Sequence, residues 1–176
     1  MADLFAAYFL PVSSSGMNGF LAKDISSLVD KAHQQTGKRV FLVTNDKGTE
    51  PLLEAIRHWQ KHSSQRQALA GAVVISPYLY TSTPAVGQEV HYVPIATSTN
   101  FNLFLMQPKL SPKYWQFREM VEKLEQGGSD VYTQKLDDVR DRFFFRPDAT
   151  DEEQALTGKL PLLLHRAVRL TGNASG

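Results

Sequence analysis

The stretch from Lys38 to Trp59 constrains the fold of this chain more than any other. It opens with an apolar run, Val40 to Val43, and continues through a polar cluster that ends at Gly48. A short apolar run bounded by turn residues predicts a strand that is buried on both faces. A helix should follow, because Thr49 can serve as its N-cap, Pro51 fits its first turn and apolar residues then recur at helical spacing. A strand that leads directly into an amphipathic helix is half of a βαβ unit, which indicates a parallel sheet.

The rest of the chain continues this alternation of strands and helices. Apolar runs predict strands at 6–12, 72–75, 90–95 and 101–106. Apolar stripes predict helices at 21–32, 111–126, 130–145 and 160–170, with a further short helix beginning at Thr150. We therefore expect an α/β fold over residues 1–147, namely a single doubly wound, mainly parallel sheet with flanking helices. Residues 148–176 are expected to form a helical C-terminal extension packed on the same domain.

Composition limits the classes of function. A net charge of +1 over 176 residues gives no general bias toward nucleic acid, so any such binding requires a local patch. The absence of cysteine excludes disulfides, thiol catalysis and thiolate metal sites. His58 and His62 have no third ligand near them in the sequence, so no metal site is predicted. The apolar run Leu4 to Val12 lacks a basic region before it, and no segment approaches the length of a membrane helix. We expect a cytoplasmic protein without direct membrane contact.

A loop of small residues, 13–19, follows the first predicted strand and precedes a helix. Open α/β sheets bind phosphate at such loops through backbone N–H groups and hydroxyls. Ser13, Ser15 and Gly16 resemble the flavin-phosphate loop of flavodoxins, which implies binding of a flavin or nucleotide phosphate. The alternative interpretation is a solvated turn. No base or aspartate lies near this loop to activate a hydroxyl, so we predict no catalytic role for it.

The segment Phe41 to Asn45 resembles the second motif of haloacid-dehalogenase-type phosphatases, in which a strand ends in Thr-Asn. Those enzymes carry the phosphoryl group on an aspartate from an Asp-x-Asp pair on an earlier strand. The upstream aspartates here, Asp3, Asp24 and Asp30, stand singly. We therefore reject that activity.

The predicted helix 130–145 places a basic row beside an apolar stripe. At about 100° per residue, Lys135, Arg142 and Arg146 lie within about 40° of one another. The neighbouring apolar positions are Tyr132, Leu136, Val139 and Phe143. One interpretation is a solvated helix flank whose long side chains cover the core. The other is a shallow site for an acidic peptide with an aromatic tip, in which the cations bind carboxylates.

Several short segments, in order, resemble the chi subunit of bacterial DNA polymerase III. They are Tyr8-Phe9-Leu10, Gly37-Lys38-Arg39-Val40, the acidic turn at Asp46, Asn102-Leu103-Phe104-Leu105, the helix with Pro112, Phe117 and Val121-Glu122, and Arg140-Asp141-Arg142-Phe143. The resemblance covers residues 6–147 as a pattern. The segment from Thr150 to Leu170 extends beyond the usual end of the family.

The resemblance implies a non-enzymatic adaptor in DNA replication or repair that needs no cofactor. Its implied partners are the acidic C-terminal tail of single-stranded DNA-binding protein and a psi-like subunit or helicase, so that contact with nucleic acid is mainly indirect. Together with the basic row, the implied partner-binding residues are Lys135, Arg140, Arg142, Phe143, Arg146 and Trp59. The alternative function is a flavodoxin-like protein that binds a nucleotide or flavin phosphate through the loop 13–19.

Overall fold

A parallel sheet of four strands lies at the centre of the structure, a computed structural model that describes residues 18–173. The strands are β1 (Val40–Asn45), β2 (Leu69–Ile75), β3 (Asn102–Pro108) and β4 (Asp130–Leu136), in that order across the sheet. The helices are α1 (Asn18–Thr36), α2 (Thr49–His62), α3 (Ile95–Ser98), α4 (Phe117–Gln126) and α5 (Asp151–Asn173). The predicted α/β class with a mainly parallel sheet is confirmed. The predicted strand 6–12 and the loop with Ser13, Ser15 and Gly16 lie outside the described residues.

Helices cover both faces of the sheet, because successive residues of the central strands point to opposite layers. Helices α1, α2 and α4 pack on one face, against Ala72, Val74, Leu103 and Leu105. Helix α5 packs on the other face, against Val73, Ile75, Phe104 and Met106. Both faces of β2 and β3 are therefore buried, which explains why these strands are continuous apolar runs in the sequence.

The α1–α2 pair forms as the sequence predicts. Gly37 ends α1 with φ of +65° and donates its N–H to the carbonyl of His33 at 2.8 Å, as a left-handed C-cap does. Trp59 of α2 is 3% exposed, and its Nε1 donates to Asp30 Oδ1 of α1 at 3.0 Å. One detail differs, since Gly48 is the N-cap of α2 and Thr49 is its first residue.

Two predicted strands differ from the structure. Strand β1 was expected to be buried on both faces, but it forms one edge of the described sheet and Val43 is 50% exposed. Residues 90–95 do not form a strand. They contribute an isolated antiparallel bridge between Tyr92 and Tyr80, after which Pro94 caps the short helix α3. A proline without a backbone N–H favours this helix start over a position in a sheet.

The predicted helix 130–145 is wrong. Its first half is strand β4, which pairs in parallel with β3 from Asn102↔Asp130 to Pro108↔Leu136. The run from Val131 to Thr133 is β-branched and aromatic, which favours a strand. Residues 137–142 then form a loop, and Phe143–Phe145 form a single 3-10 turn. The cations of this region consequently do not share a helix face.

The C-terminal segment is one helix, α5, where two were predicted, and Pro161 lies within it. The predicted capping box at its start is confirmed. Thr150 N–H donates to Glu153 Oε2 at 3.0 Å, and Glu153 N–H donates to Thr150 Oγ1 at 3.2 Å. Within residues 18–173, none of the helices combines the length and the apolar character that a membrane crossing requires.

Candidate active site

The loops that follow the four strands meet at one edge of the sheet, since parallel strands share their carboxyl ends. In open α/β sheets this edge is where ligands bind. The polar residues that the structure places there are Asp46 after β1, Ser76 after β2, Ser111 and Lys113 after β3, and Asp141 and Arg142 after β4. Four different loops thus contribute to one cluster of ionisable and hydroxyl side chains.

Asp46 lies in a tight turn between β1 and α2. Its φ is +49°, a left-handed conformation that few non-glycine residues adopt. Two residues later a Cβ on Gly48 would collide with Oγ1 of Thr44, so the turn requires a glycine at that position. The chain therefore reverses from strand to helix within Asp46–Gly48, and the aspartate sits at the point of the turn.

Thr49 braces this turn against the loop after β2. Its hydroxyl donates to the carbonyl of Asp46 at 2.5 Å and accepts the backbone N–H of Tyr78 at 3.0 Å. Thr49 is 1% exposed, so water does not compete for these bonds. The position of Asp46 is consequently tied to the neighbouring loop.

Ser76 is the first residue beyond β2. The register pairs Asn45 with Ile75, so Ser76 and Asp46 occupy equivalent positions at the ends of adjacent strands. Ser76 also has a left-handed backbone, with φ of +51°, and is 1% exposed. Its N–H donates to the carbonyl of Met106 at 2.8 Å, whereas its Oγ is buried and has no hydrogen-bond partner among the described residues.

Asp141 is held at one oxygen only. Its Oδ2 accepts a hydrogen bond from Ser111 Oγ at 2.8 Å and an ion pair from Lys113 Nζ at 3.1 Å. Its Oδ1 is buried and, within the part of the chain that the structure describes, accepts no hydrogen bond. Buried carboxylate oxygens are almost always hydrogen-bonded, so this atom is a candidate for binding a water or a ligand.

Two further cations complete the cluster. The backbone of Arg142 is left-handed, with φ of +56°, and its Nε lies 3.8 Å from Asp46 Oδ2. Lys47 Nζ and Lys113 Nζ lie 5.9 Å and 5.4 Å from the centroid of the Tyr78 ring. The turn between β1 and α2 therefore lies close to the loop with Tyr78 and to the loops after β3 and β4.

Tyr80 lies beneath this edge and is 4% exposed. Burial raises the pKa of its phenol above the ordinary value, and the nearby Tyr92, Glu119 and Asp141 act in the same direction. The phenol is therefore neutral at physiological pH.

The residues predicted to bind a partner are dispersed. Arg140 donates through Nε and Nη2 to Glu153 of α5, at 2.8 Å in each case, and through Nη1 to Asp148 at 3.0 Å. Arg146 donates to the same Asp148 at 3.1 Å. These cations fasten the loop after β4 to the start of α5. Only Arg142 of the set contributes to the cluster at the strand ends.

The other predicted residues lie in three different places. Phe143 is 1% exposed and belongs to the core beneath α5, while Trp59 is buried in the core on the opposite face. Lys135 extends from β4, with Nζ 5.7 Å from the centroid of the Tyr114 ring. The structure therefore gives no support to a single basic row beside an exposed aromatic residue.

The environment of Glu153 predicts how the stability of the fold changes at acid pH. It is completely buried, and the hydrogen bond from Arg140 is the main reason that the pKa of its carboxyl is lowered to about 2. A lowered pKa stabilises the fold above the ordinary value of 4.5, and this contribution is lost as pH falls from there toward about 2. We expect the melting temperature to fall across that window, and Glu153→Gln to show a smaller fall because it cannot titrate.

The matched control for this prediction is Glu152→Gln, since Glu152 is an exposed neighbour on the same helix. That variant should retain the pH dependence of the wild type. Thermal melts followed by circular dichroism between about pH 7 and about pH 2 measure all three proteins. Identical slopes for wild type and Glu153→Gln would contradict the prediction.

Solved structures that resemble this chain are named as an esterase and a sugar hydrolase. Esterase 2 of Thermogutta terrifontis, phosphoramylated by tabun, matches with a TM-score of 0.57 and 12% identity over 91% of this chain and 67% of the esterase. The same esterase phosphonylated by sarin matches with a TM-score of 0.58 and 12% identity over 88% and 66%. A sugar hydrolase from Lactococcus lactis matches with a TM-score of 0.57 and 13% identity over 93% and 72%.

These matches show a shared α/β fold, and at such low identity they show the fold alone. The chain spans about two thirds of the length of the esterase. No protein-family model matches the sequence, and no curated protein does.

The resemblance to the chi subunit is wrong, because the structures that match are an esterase and a sugar hydrolase. The predictions of a non-enzymatic adaptor and of a role in DNA replication are wrong on the same finding. The physical reason is that parallel α/β folds share apolar strands and amphipathic helices in the same order. Short segments of such patterns therefore match between unrelated members of the class.

Asp46 and Ser76 were missed as site residues. A signal for Asp46 exists in the sequence, because Thr44, Asp46 and Gly48 have the spacing of the G-x-S-x-G turn, in which a nucleophile sits between a strand and a helix. Threonine and aspartate replace the first glycine and the serine of that pattern. Ser76 has no such signal in the sequence. The feature that singles it out is a buried hydroxyl without a partner among the described residues, which only the structure reveals.

Proposed function

We propose that this chain is a hydrolase and that Asp46 is its nucleophile. The observation that supports the proposal is the left-handed backbone of Asp46 at the tight turn between β1 and α2. Hydrolases of this fold type place their nucleophile on such a strained turn, so that its side chain is exposed at the top of the sheet. Asp46 has this position, and its side chain remains 20% exposed.

A carboxylate can act as a covalent nucleophile. In the first step one Asp46 oxygen attacks a substrate carbon that is bonded to an oxygen leaving group. The carbon–oxygen bond breaks, its electron pair stays with the departing oxygen, and an ester forms on Asp46. In the second step water attacks the carbonyl carbon of that ester and releases the substrate carbon as an alcohol. The net reaction adds one water across one carbon–oxygen bond.

The second step needs a base, and we assign this role to Asp141. Oδ2 is fixed by Ser111 and Lys113, which orients the carboxylate. Oδ1 is buried and without a partner in residues 18–173, so it is available to accept a proton from the attacking water. Asp141 then passes this proton to the alkoxide that leaves the Asp46 ester. The second proton of the water is lost from Asp46 to solvent, which restores both carboxylates for the next turnover.

The charges around Asp46 indicate a class of leaving group. Arg142 Nε is 3.8 Å from Asp46 Oδ2, and the Arg142 side chain is 61% exposed. Lys47 adds a second exposed cation beside the turn. Such cations stabilise negative charge that develops during bond breaking. We therefore propose leaving groups that depart as anions, as the carboxylate of an alkyl ester does when its alkyl carbon is attacked. The names of the structural neighbours, an esterase and a sugar hydrolase, agree with hydrolysis.

Isotope transfer tests the role of Asp46. A single turnover in water enriched in ¹⁸O, with enzyme in excess over substrate, should place the heavy oxygen in the Asp46 carboxylate, because water attacks the enzyme ester. Trypsin cleaves after Arg39 and Lys47 and releases the peptide Val40–Lys47, in which Asp46 carries the single side-chain carboxylate. Mass spectrometry of that peptide, digested in ordinary water, measures the label. A panel of alkyl esters and epoxides supplies the substrates.

Two variants control this experiment. Asp46→Asn keeps a residue that tolerates the left-handed backbone but removes the nucleophile, so it should show neither turnover nor label. Asp137→Asn removes an exposed carboxylate that pairs with Lys109 at the same edge of the sheet. In this variant the peptide Val40–Lys47 should be labelled as in the wild type. Turnover with the heavy oxygen only in the product, and none in the peptide, would show direct attack by water and contradict the proposal.

A further inference from the structure

The hydroxyl of Ser76 is an unexplained feature of the cluster at the strand ends. It is buried without a hydrogen-bond partner among the described residues, and it belongs to a residue that is only 1% exposed. Leaving a buried hydroxyl unpaired destabilises a fold. The left-handed backbone of Ser76, with φ of +51°, is a second unfavourable feature at the same residue. Alanine would avoid the first of these costs and glycine would avoid both.

The position of Ser76 is fixed from both sides. Its N–H donates to the carbonyl of Met106 in β3 at 2.8 Å. Two residues later, the N–H of Tyr78 donates to Thr49, whose hydroxyl also binds the carbonyl of Asp46. The pairing of Asn45 with Ile75 then sets Ser76 beside Asp46 at the end of the sheet. A rigid donor with no partner of its own thus lies next to the residue proposed as nucleophile.

We propose that Ser76 is a further catalytic residue, and that its hydroxyl donates a hydrogen bond to the oxygen that departs when Asp46 attacks. This inference rests on the proposed function. Negative charge develops on that oxygen as the carbon–oxygen bond breaks, and a fixed donor in a site sheltered from water stabilises it most in the transition state. Ser76 keeps its own proton throughout. The leaving group departs as an anion, before Asp141 acts in the second step.

A hydrogen-bond donor at the position of Ser76 narrows the class of substrates. A hydroxyl donor beside the nucleophile favours leaving groups with an oxygen atom that gains charge, because the buried hydroxyl obtains its missing partner only in that case. Poor leaving groups gain the most from such a donor, since they carry more localised charge at the transition state. The site should therefore hydrolyse alkyl esters of weak acids, whose carboxylates are poor leaving groups, better than a site without Ser76 would.

Replacing the hydroxyl tests this inference through the dependence of rate on the leaving group. For Ser76→Ala we expect kcat/KM to fall by roughly 10²-fold with poor leaving groups, the size of effect seen when one fixed donor is removed from a charge-stabilising site. The loss should be much smaller with good leaving groups, so log kcat/KM should depend more steeply on the pKa of the leaving group. Because the variant deletes an unpaired hydroxyl, its melting temperature should stay equal or rise.

Ser76→Gly separates the hydroxyl from the backbone strain, because it removes both while Ser76→Ala removes only the hydroxyl. Equal kinetic losses in the two variants support the hydroxyl as the cause. Ser26→Ala, at a buried serine of α1, should leave the leaving-group dependence as in the wild type. Normal dependence in both Ser76 variants, with labelled peptide Val40–Lys47 from the wild type, overturns this inference and leaves the proposed function standing. A wild type without turnover or label overturns both.

Discussion

Asp141→Asn is expected to stop the proposed reaction after its first step and to leave the substrate carbon attached to Asp46. The amide lacks the basicity to take a proton from water, and a positioned general base contributes roughly 10²–10⁴-fold to rate. Steady turnover should therefore fall by about 10³-fold or more. The first step does not use this base, so one equivalent of leaving group should still be released.

Mass spectrometry of the protein after mixing with excess substrate measures the trapped ester directly. The added mass should appear on the peptide Val40–Lys47, and the rapid release of leaving group should match the amount of enzyme. The amide oxygen can still accept the bonds from Ser111 and Lys113, so the melting temperature checks that the local structure persists.

Asp138→Asn is the matched control for this trap. Asp138 is an exposed aspartate of the same loop with a left-handed φ of +57°, a conformation that asparagine also tolerates. That variant should turn over normally and accumulate no ester. Normal turnover by Asp141→Asn, or its complete inactivity without any release of leaving group, would show that Asp141 is not the base for the second step.

The sequence predicted correctly those parts of the fold in which apolar residues follow one clear spacing. The run that became β1, the stripe of α2 with its early proline and the continuous apolar runs of β2 and β3 each match a single type of element. Gly37 and the Thr150–Glu153 box mark helix ends because their geometry is local. Local signals of this kind can be recognised in the sequence without knowledge of the tertiary packing.

Strand β4 was missed because its spacing coincides with that of a helix. Tyr132, Leu136, Val139 and Phe143 are four, three and four positions apart, as on one helix face. In the structure Tyr132 and Leu136 belong to a strand, Val139 to a loop and Phe143 to a turn. All four pack in or against the core beneath α5. The spacing of apolar residues alone therefore could not distinguish a helix from a strand followed by a loop.

The candidate site could not be predicted from the sequence, because its contacts join residues of different loops. Arg142 reaches Asp46 from the far strand of the sheet, and Ser111 and Asp141 meet across the ends of β3 and β4. These pairs follow from the parallel order of the strands, which no local spacing encodes. The left-handed backbones at Asp46 and Ser76 likewise depend on tertiary packing, since neither residue type requires that conformation.

Trp59→Ala is expected to lower the free energy of unfolding by about 3–5 kcal/mol, the usual cost of removing a large aromatic side chain from a core. Trp59 is 3% exposed and packs in the cluster that joins α1 and α2 to the sheet. Its removal also leaves Asp30 with one hydrogen bond fewer, although Ser63 Oγ still donates to the same oxygen at 2.8 Å. Urea denaturation followed by circular dichroism measures the change.

The chain provides its own control, because its other tryptophan, Trp115, is 46% exposed. Trp115→Ala should change stability by about 0.5 kcal/mol or less, as surface substitutions do. Trp59→Phe keeps most of the buried ring but loses the bond to Asp30, and should fall between wild type and Trp59→Ala. Equal stability of Trp59→Ala and Trp115→Ala would mean that α1 and α2 do not depend on Trp59 for their packing. Since α2 begins at the Asp46 turn, a large loss at Trp59 would also tie the stability of this helix pair to the geometry of the proposed nucleophile.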